Sequence, residues 1–72
     1  MLGEELRKAR KAAKLTQEKL AFQAGMDRSY ISELENNKKS PTIDALFRIC
    51  GALDVRLSRL IARAEKSRTD RK

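Results

Sequence analysis

The segment LTQEKLAFQAGMDRSYISELENNKKSP, residues 15–41, contains two short stretches of helical periodicity separated by a glycine. In the first stretch, Thr16 can cap the helix N-terminus and Gly25 can end the helix. In the second, Asp27 occupies the capping position and the polar run ENNKK ends the helix. The inward apolar residues recur at helical spacing; they are Leu20, Ala21 and Ala24 in the first helix, and Ile31 and Leu34 in the second. This spacing predicts two short helices joined by a tight turn.

Three further helices are predicted on either side of this pair. The inward stripe of residues 2–13 consists of Leu2, Leu6, Ala9 and Ala13. After the loop NNKKSP, Thr42 can cap a fourth helix whose apolar side consists of Ile43, Leu46, Ile49, Cys50 and Leu53. Asp54 and Val55 interrupt this register, and the fifth helix carries Leu57, Leu60, Ile61 and Ala64. No segment alternates apolar and polar residues as a strand would, so the sequence predicts a compact, all-α, five-helix fold.

The length and composition of the chain limit its function. Its 72 residues suffice for one domain, which we assign to residues 1–64, and we expect residues 65–72 to form a basic, disordered tail. The net charge of +7 favours a polyanionic partner. No apolar run is long enough to span a bilayer and the N-terminus is charged, so we expect a soluble, cytoplasmic protein that does not act at a membrane. The single cysteine, Cys50, is expected to be a core residue without chemistry.

The outer face of the third helix is polar and consists of small or flexible side chains. With Ile31 and Leu34 inward, a rotation of about 100° per residue directs Ser29, Ser32, Glu33 and Asn36 outward, with Arg28 and Tyr30 on the two flanks. Arg28 is long enough to donate two hydrogen bonds to guanine, and short hydroxyl groups allow a close approach to base edges. This face is therefore suited to reading DNA.

Residues 4–61 resemble the helix-turn-helix domain of phage repressors and of the related bacterial regulators, a lambda-repressor-like fold. The resemblance rests on linked positions across the second to fourth helices rather than on one short motif. The matching residues are Gln17, Leu20, Ala21, Gly25, Ile31, Leu34, Glu35 and Pro41. The run DRSYIS is also similar to the controller proteins of restriction-modification systems.

The resemblance implies a role for most of the polar residues in this segment. The recognition helix, residues 28–36, would enter the major groove of double-stranded DNA. The residues expected to face the bases are Arg28, Ser29, Ser32 and Glu33, the last either accepting from cytosine or rejecting wrong sequences. The residues expected to contact phosphates are Gln17, Tyr30, Asn36, Lys38 and Lys39. For Tyr30 the alternative is packing against Leu34, and for Lys38 and Lys39 it is a purely solvated surface.

A buried ion pair is predicted between the first and third helices. Arg10 lies at the border of the first helix's apolar stripe, and Glu35 lies on the inward flank of the third helix. In similar repressors such a pair ties these two helices together. Because breaking a buried pair leaves one charge uncompensated, Arg10 and Glu35 are expected to be structural residues.

An apolar edge indicates a homodimer. It comprises Phe47, Val55, Leu57 and Ile61, and it exceeds what one small core can cover. Two recognition helices related by a twofold axis would read a palindromic operator. Phe22 lies opposite its helix's inward residues and is expected to be exposed, where it contacts DNA, a protein or nothing.

Other functions account for fewer features of the sequence. The chain has no histidine and no catalytic constellation, so we expect neither an enzyme nor a cofactor or metal requirement. A basic membrane-binding helix explains neither the glycine turn nor the expected ion pair, and a short helix-turn-helix fits the DNA major groove better than RNA. The alternative that stays open is an antitoxin-like interaction module, which binds a partner protein and regulates its own promoter.

Overall fold

The chain folds into five helices around one core. The computed structural model describes the backbone of residues 2–70 and the side chains of residues 2–66. The helices are α1 (Leu2–Ala12), α2 (Gln17–Ala24), α3 (Arg28–Glu35), α4 (Ile43–Leu53) and α5 (Leu57–Asp70), and the described residues contain no β-strand. The predicted all-α, five-helix fold is therefore confirmed. α1 packs on α3 and α5, and α2 packs on α3 and α4.

Local hydrogen bonds define the ends of α2 and the turn that follows it. The Thr16 hydroxyl accepts a hydrogen bond from the Lys19 amide at 3.0 Å, which satisfies one of the donors left free at the helix start. Gly25 ends α2 in the left-handed region, at φ 70°, and the Met26 amide donates to the Ala21 carbonyl at 2.8 Å. This geometry favours glycine because a Cβ is strained at positive φ. The turn thus sets the angle at which α3 leaves α2.

Asp27 precedes α3, but the side-chain cap predicted for it is wrong. Its backbone has the extended conformation of an N-cap residue, yet its carboxylate accepts no capping hydrogen bond. The Asp27 carbonyl instead accepts from the Tyr30 and Ile31 amides. The negative charge of Asp27 still lies at the helix N-terminus, where it interacts favourably with the helix dipole.

The core contains one inward stripe from each helix. Leu20, Ile31 and Ile49 are the largest fully buried side chains, and Cys50 is buried beside them as predicted. The other buried members are Leu6, Ala21, Ala24, Leu34, Leu46, Leu53 and Leu60. Burial raises the pKa of the Cys50 thiol.

Two predicted core residues lie at the surface instead. Ile43 is 62% exposed because it is the first residue of α4 and lies outside the arc of helix that faces the core, where Ala45 is buried in its place. Ala13 is exposed because α1 ends at Ala12. Sequence periodicity located both helices correctly but extended each core stripe by one residue.

The C-terminal helix is longer than expected. α5 continues through Asp70, so the predicted boundary at residue 64 falls inside a helix and the backbone of residues 65–70 is helical. The segment contains no glycine or proline to end the helix. Residues 71 and 72 of the predicted tail lie outside the described residues. None of the helices in the described part of the chain has the length and apolarity needed to cross a membrane.

Gly3 allows α1 to approach α3 very closely. A Cβ at residue 3 would lie 2.6 Å from the carbonyl oxygens of both Leu34 and Glu35. Since backbone atoms cannot move aside cheaply, only glycine fits at this contact. The start of α1 is thereby held against the end of α3.

Replacing Gly3 by alanine is expected to destabilise the protein although alanine is the better helix former. The clash with two backbone carbonyls should lower the free energy of unfolding by about 1 to 3 kcal/mol, measured by urea denaturation. Gly51→Ala in α4 is the matched control, since its Cβ meets nothing within 4 Å. That change should stabilise by about 0.5 to 1 kcal/mol. If the two variants shifted stability in the same direction, the close approach at Gly3 would not govern packing.

Candidate nucleic-acid interface

The N-terminal half of α3 presents its polar side chains to solvent. Arg28 and Ser29 are exposed, and Ser32 and Glu33 are half-buried. Within the described residues, the side chains of Arg28 and Ser29 make no hydrogen bond or ion pair. Ile31 and Leu34, on the inward side of the helix, are buried in the core. The predicted inward and outward faces of this helix are therefore correct.

Glu35, at the end of α3, is the centre of a buried polar network. Its carboxylate is hydrogen-bonded by Arg10 Nε at 2.6 Å and by Arg10 Nη2 at 3.1 Å. Gln17 Nε2 donates to the same carboxylate at 3.1 Å, and Arg10 Nη1 donates to the Leu15 carbonyl. The Arg10–Glu35 pair predicted from the sequence is thus present. It joins α1, the loop before α2, α2 and α3 through one buried carboxylate.

The environment of Glu35 stabilises its charged form. Burial raises the pKa of this carboxyl, but the hydrogen bonds from Arg10 and Gln17 and the charges of Arg10 and Arg7 outweigh burial and lower the pKa below its ordinary value. Arg7 Nε lies 3.5 Å from the carboxylate and supplies a second guanidinium. Glu35 is therefore a charged residue that holds α3 in place, not a group that titrates near neutral pH.

Two asparagines after α3 attach its C-terminal end to α1. Asn36 donates to the Ser32 carbonyl at 2.9 Å and accepts from Arg7 Nη2 at 3.2 Å. Asn37 adopts the left-handed conformation, at φ 58°, and its side-chain oxygen accepts from the Gly3 amide at 3.1 Å. Sequence reasoning missed Arg7 and Asn37. The available signal was the tolerance of asparagine for positive φ at a helix end.

The residues predicted to contact phosphates differ in whether their side chains already have intramolecular partners. Lys38 is exposed, whereas Lys39 lies 3.5 Å from the Glu33 carboxylate and 6.0 Å from the centre of the Tyr30 ring. Tyr30 is half-buried and packs against the core. A residue that binds phosphate is expected to have free donors, but the Gln17 amide already donates one hydrogen bond to the Glu35 carboxylate.

Arg48 of α4 also positions the helix-turn-helix, although no sequence pattern indicated this role. Arg48 Nη2 donates a 2.7 Å hydrogen bond to the Gly25 carbonyl at the turn between α2 and α3. Asp44, one turn earlier in α4, lies 3.8 Å from the same guanidinium. The turn is thus held from α4 while the end of α3 is held from α1.

Three of the four apolar residues expected at a dimer contact lie together at the surface. Phe47 is 61% exposed, and Leu57 and Ile61 are half-buried; these three line an open groove between α4 and α5. Val55 is also exposed but lines a different groove, with Ala9. Phe22, in contrast, projects from α2 and is 85% exposed, as predicted.

A sequence profile described as helix-turn-helix, HTH_3, matches residues 6–60. The chain therefore belongs to this helix-turn-helix family, and α2, the Gly25 turn and α3 form the motif. The fold and the exposed face of α3 thus define a protein of the helix-turn-helix class.

Individual relatives include a repressor, a controller and a DNA-bound regulator. The chain is 33% identical over 60 residues to the immunity repressor protein of Bacillus phage phi105; the match covers 83% of the chain and 42% of that repressor. It is 36% identical to the restriction-modification controller protein C.AhdI from Aeromonas hydrophila, with a TM-score of 0.80, covering 82% of this chain and 89% of that one. The biofilm master regulator SinR, in complex with DNA, is 32% identical with a TM-score of 0.81, covering 85% and 98%.

Glu35→Gln is expected to destabilise the protein strongly. Because the change leaves the Arg10 guanidinium, only 12% exposed, without its counter-ion, the free energy of unfolding should fall by about 3 to 5 kcal/mol. The matched control is Glu33→Gln on the same helix. Its carboxylate is 39% exposed in a surface pair, so the loss should stay below about 1 kcal/mol. Equal losses in urea denaturation would contradict a special role for Glu35.

The wild type and Glu35→Gln should differ in how their stability depends on pH. Since the folded pKa of Glu35 is lowered, its contribution to stability is complete above the ordinary value of 4.5 and is lost as the pH falls through the folded pKa. The stability difference between the wild type and Glu35→Gln should therefore shrink on acidification below that value. Denaturant titrations at a series of pH values would measure it, and a difference independent of pH would contradict the assignment.

Proposed function

We propose that this chain, a DNA-binding transcriptional regulator, recognises a palindromic operator as a homodimer, with α3 of each protomer in the major groove. The observation that carries the proposal is that Arg28 and Ser29, at the N-terminal end of α3, are exposed and unpaired, while the other end of the helix is held by the buried, charged network around Glu35. A reading surface must be accessible and rigid at the same time. The fixed end at Glu35 supplies the rigidity, and Arg28 and Ser29 supply the accessible donors.

Base recognition is assigned to Arg28, Ser29, Ser32 and Glu33. Arg28 has the length and free donors to bind guanine O6 and N7 together. The two serines are short enough to let the helix axis approach the base edges. Glu33 is paired with Lys39 in the free protein, so it either exchanges this partner for a cytosine amino group or excludes sequences that offer only acceptors.

Contacts to the DNA phosphates are assigned to residues at the two ends of the helix-turn-helix motif. At the start of α2, Gln17 retains one amide hydrogen beside the free backbone N–H groups of the helix terminus, which attract phosphate. After α3, the exposed Lys38 is suited to a phosphate. The contact would be completed by Asn36, Lys39 and the Tyr30 hydroxyl. On binding DNA, Asn36 and Lys39 would keep or exchange the intramolecular partners that they have in the free protein.

Dimerisation is assigned to the groove between α4 and α5. Two copies that cover Phe47, Leu57 and Ile61 in this groove would remove an apolar surface from water. The twofold arrangement would place the two recognition helices about 34 Å apart, one turn of DNA. We propose that the regulator acts in the cytoplasm by blocking or recruiting polymerase, with its occupancy controlled by protein concentration. Selection of bound sequences from random DNA would report a palindrome, whereas the absence of a symmetric consensus would contradict the homodimer.

A second candidate is an antitoxin-like module that binds a partner protein. The observation in its favour is Phe22, an aromatic side chain exposed on α2 on the side opposite the core. Affinity purification from the native host would distinguish the two functions. A stoichiometric partner released by Phe22→Ser would support this candidate, and recovery of the chain alone would support the stand-alone regulator.

Arg28→Ala is expected to weaken operator binding without changing stability. The loss of a bidentate contact should cost about 1 to 3 kcal/mol, concentrated at one base pair, as measured by gel-shift titration on the selected operator and its single-base variants. Thermal unfolding should be nearly unchanged because the Arg28 side chain is exposed and unpaired. Lys11→Ala, which removes an exposed cation from α1, is the control for net charge. Normal operator affinity of the Arg28 variant would remove this residue from the interface.

Phe47→Asp is expected to dissociate the dimer without unfolding the chain. A charge placed in an apolar interface must be desolvated, whereas the side chain is already exposed in one protomer. Sedimentation should show a monomer, and operator binding should weaken. Phe22→Asp, the same change at a more exposed phenylalanine away from the groove, should remain dimeric. A wild-type chain that sediments as a monomer at high concentration and on DNA would contradict the dimer altogether.

A further inference from the structure

A row of four cations follows one side of α5. Arg56 directly precedes the helix and its carbonyl accepts hydrogen bonds from the Arg59 and Leu60 amides, so it continues the helical path. Arg59, Arg63 and Lys66 follow at spacings of three, four and three residues. At 100° and 1.5 Å per residue, these side chains fall within an arc of about 80° along about 15 Å of helix. All four are exposed, and we call this row the basic stripe.

The charges of the basic stripe are not neutralised within the part of the chain that the structure describes. Arg56, Arg59 and Arg63 form no ion pair with any described carboxylate, whereas Arg7 and Arg10 of α1 are both paired with Glu35. Like charges three and four positions apart on a helix repel one another. An elongated anionic partner would remove this repulsion.

The three arginines of the stripe also line a groove of about 650 Å³. Its apolar lining comes from Ala9 of α1, Val55 and Leu60, and the remaining lining residues are Ser58 and Asp54. Arg56 and Ser58 also border the groove proposed for dimerisation, whereas Arg59 and Arg63 do not. α1 packs on both α5 and α3, and Arg28 does not line the groove of the basic stripe.

The shape and polarity of this surface select the class of partner. A compact anion such as phosphate would meet only a part of a stripe about 15 Å long. A nucleic-acid duplex presents phosphates and sugars along its backbone and would leave the apolar lining of the groove uncovered. A single nucleic-acid strand carries the same charge, and competition with a single-stranded oligonucleotide distinguishes it from a peptide. An amphipathic protein helix with acidic residues at spacings of three and four matches both the charges and the apolar floor.

We propose that the basic stripe and its groove form a docking surface for an acidic, amphipathic helix of a partner protein. The surface is separate from the recognition helix, so the regulator binds this partner while α3 remains on DNA. Affinity would come from apolar contact in the groove, and the four cations would supply orientation and specificity. The proposal requires only the folded chain and is independent of the operator.

The test uses a labelled synthetic peptide, three repeats of EELAEAL, and its neutral counterpart in which glutamine replaces glutamate. The expected results are saturable binding of the acidic peptide, tenfold or more above the neutral one, with amide chemical-shift changes confined to residues around Arg59, Arg63 and Ala9. The double variant Arg59→Glu/Arg63→Glu should lose this binding at least tenfold. Lys11→Glu/Lys14→Glu, which changes the net charge equally on exposed residues outside the groove, should retain it. Circular dichroism verifies that both variants are folded.

Three outcomes would overturn the proposal. Equal loss of peptide binding in the two double variants would assign the effect to net charge alone. Equal affinity for the acidic and neutral peptides would remove the cations from recognition. Displacement of the peptide by single-stranded oligo(dT), with the same shifted amides, would assign the surface to nucleic acid. Unchanged operator binding of Arg59→Glu/Arg63→Glu relative to Lys11→Glu/Lys14→Glu would support a surface distinct from the recognition helix.

Discussion

The structure depends on one carboxylate that is removed from water and surrounded by donors. Glu35 is 2% exposed, and its cost of desolvation is offset by two hydrogen bonds from Arg10 and one from Gln17. Each donor comes from a different part of the chain, so the carboxylate fixes the relative positions of α1, α2 and α3 at once. In a domain of this size the apolar core alone is small. A charged cross-link of this kind gives α3 a defined orientation that apolar packing, which is not directional, does not supply.

The recognition helix is held at several points that have different chemistry. Glu35 and Asn36 attach its C-terminal end to α1, and Gly3 brings α1 into van der Waals contact with its last carbonyls. Arg48 holds the turn at the other end through the Gly25 carbonyl. Between these points Arg28 and Ser29 remain exposed on the outer side of the helix. Because both ends of the helix are fixed, it can present its outer side chains to DNA with little loss of conformational entropy on binding.

The sequence was sufficient for features that repeat or that follow from local chemistry. Apolar spacing located all five helices, and the Thr16 cap and the left-handed Gly25 follow from the preferences of single residues. It failed where tertiary contacts decide. Ile43 fits the apolar spacing of α4, yet the packing of neighbouring helices leaves it outside the core. Asp27 has a capping side chain and a capping backbone without the capping bond. Arg48 and Asn37 bond to carbonyl and amide groups of distant segments, and no local pattern encodes which partners they find.

The burial of Cys50 makes the chain suitable for site-directed spectroscopy. Its thiol is the only one in the sequence, and burial both shields it and raises its pKa, so little thiolate is available to a maleimide or a nitroxide reagent. A second cysteine at an exposed position such as Lys11 would therefore take a probe selectively, without removal of the native residue. Spin labels placed in this way would report, as a distance distribution, the separation between the two protomers of the proposed dimer on an operator.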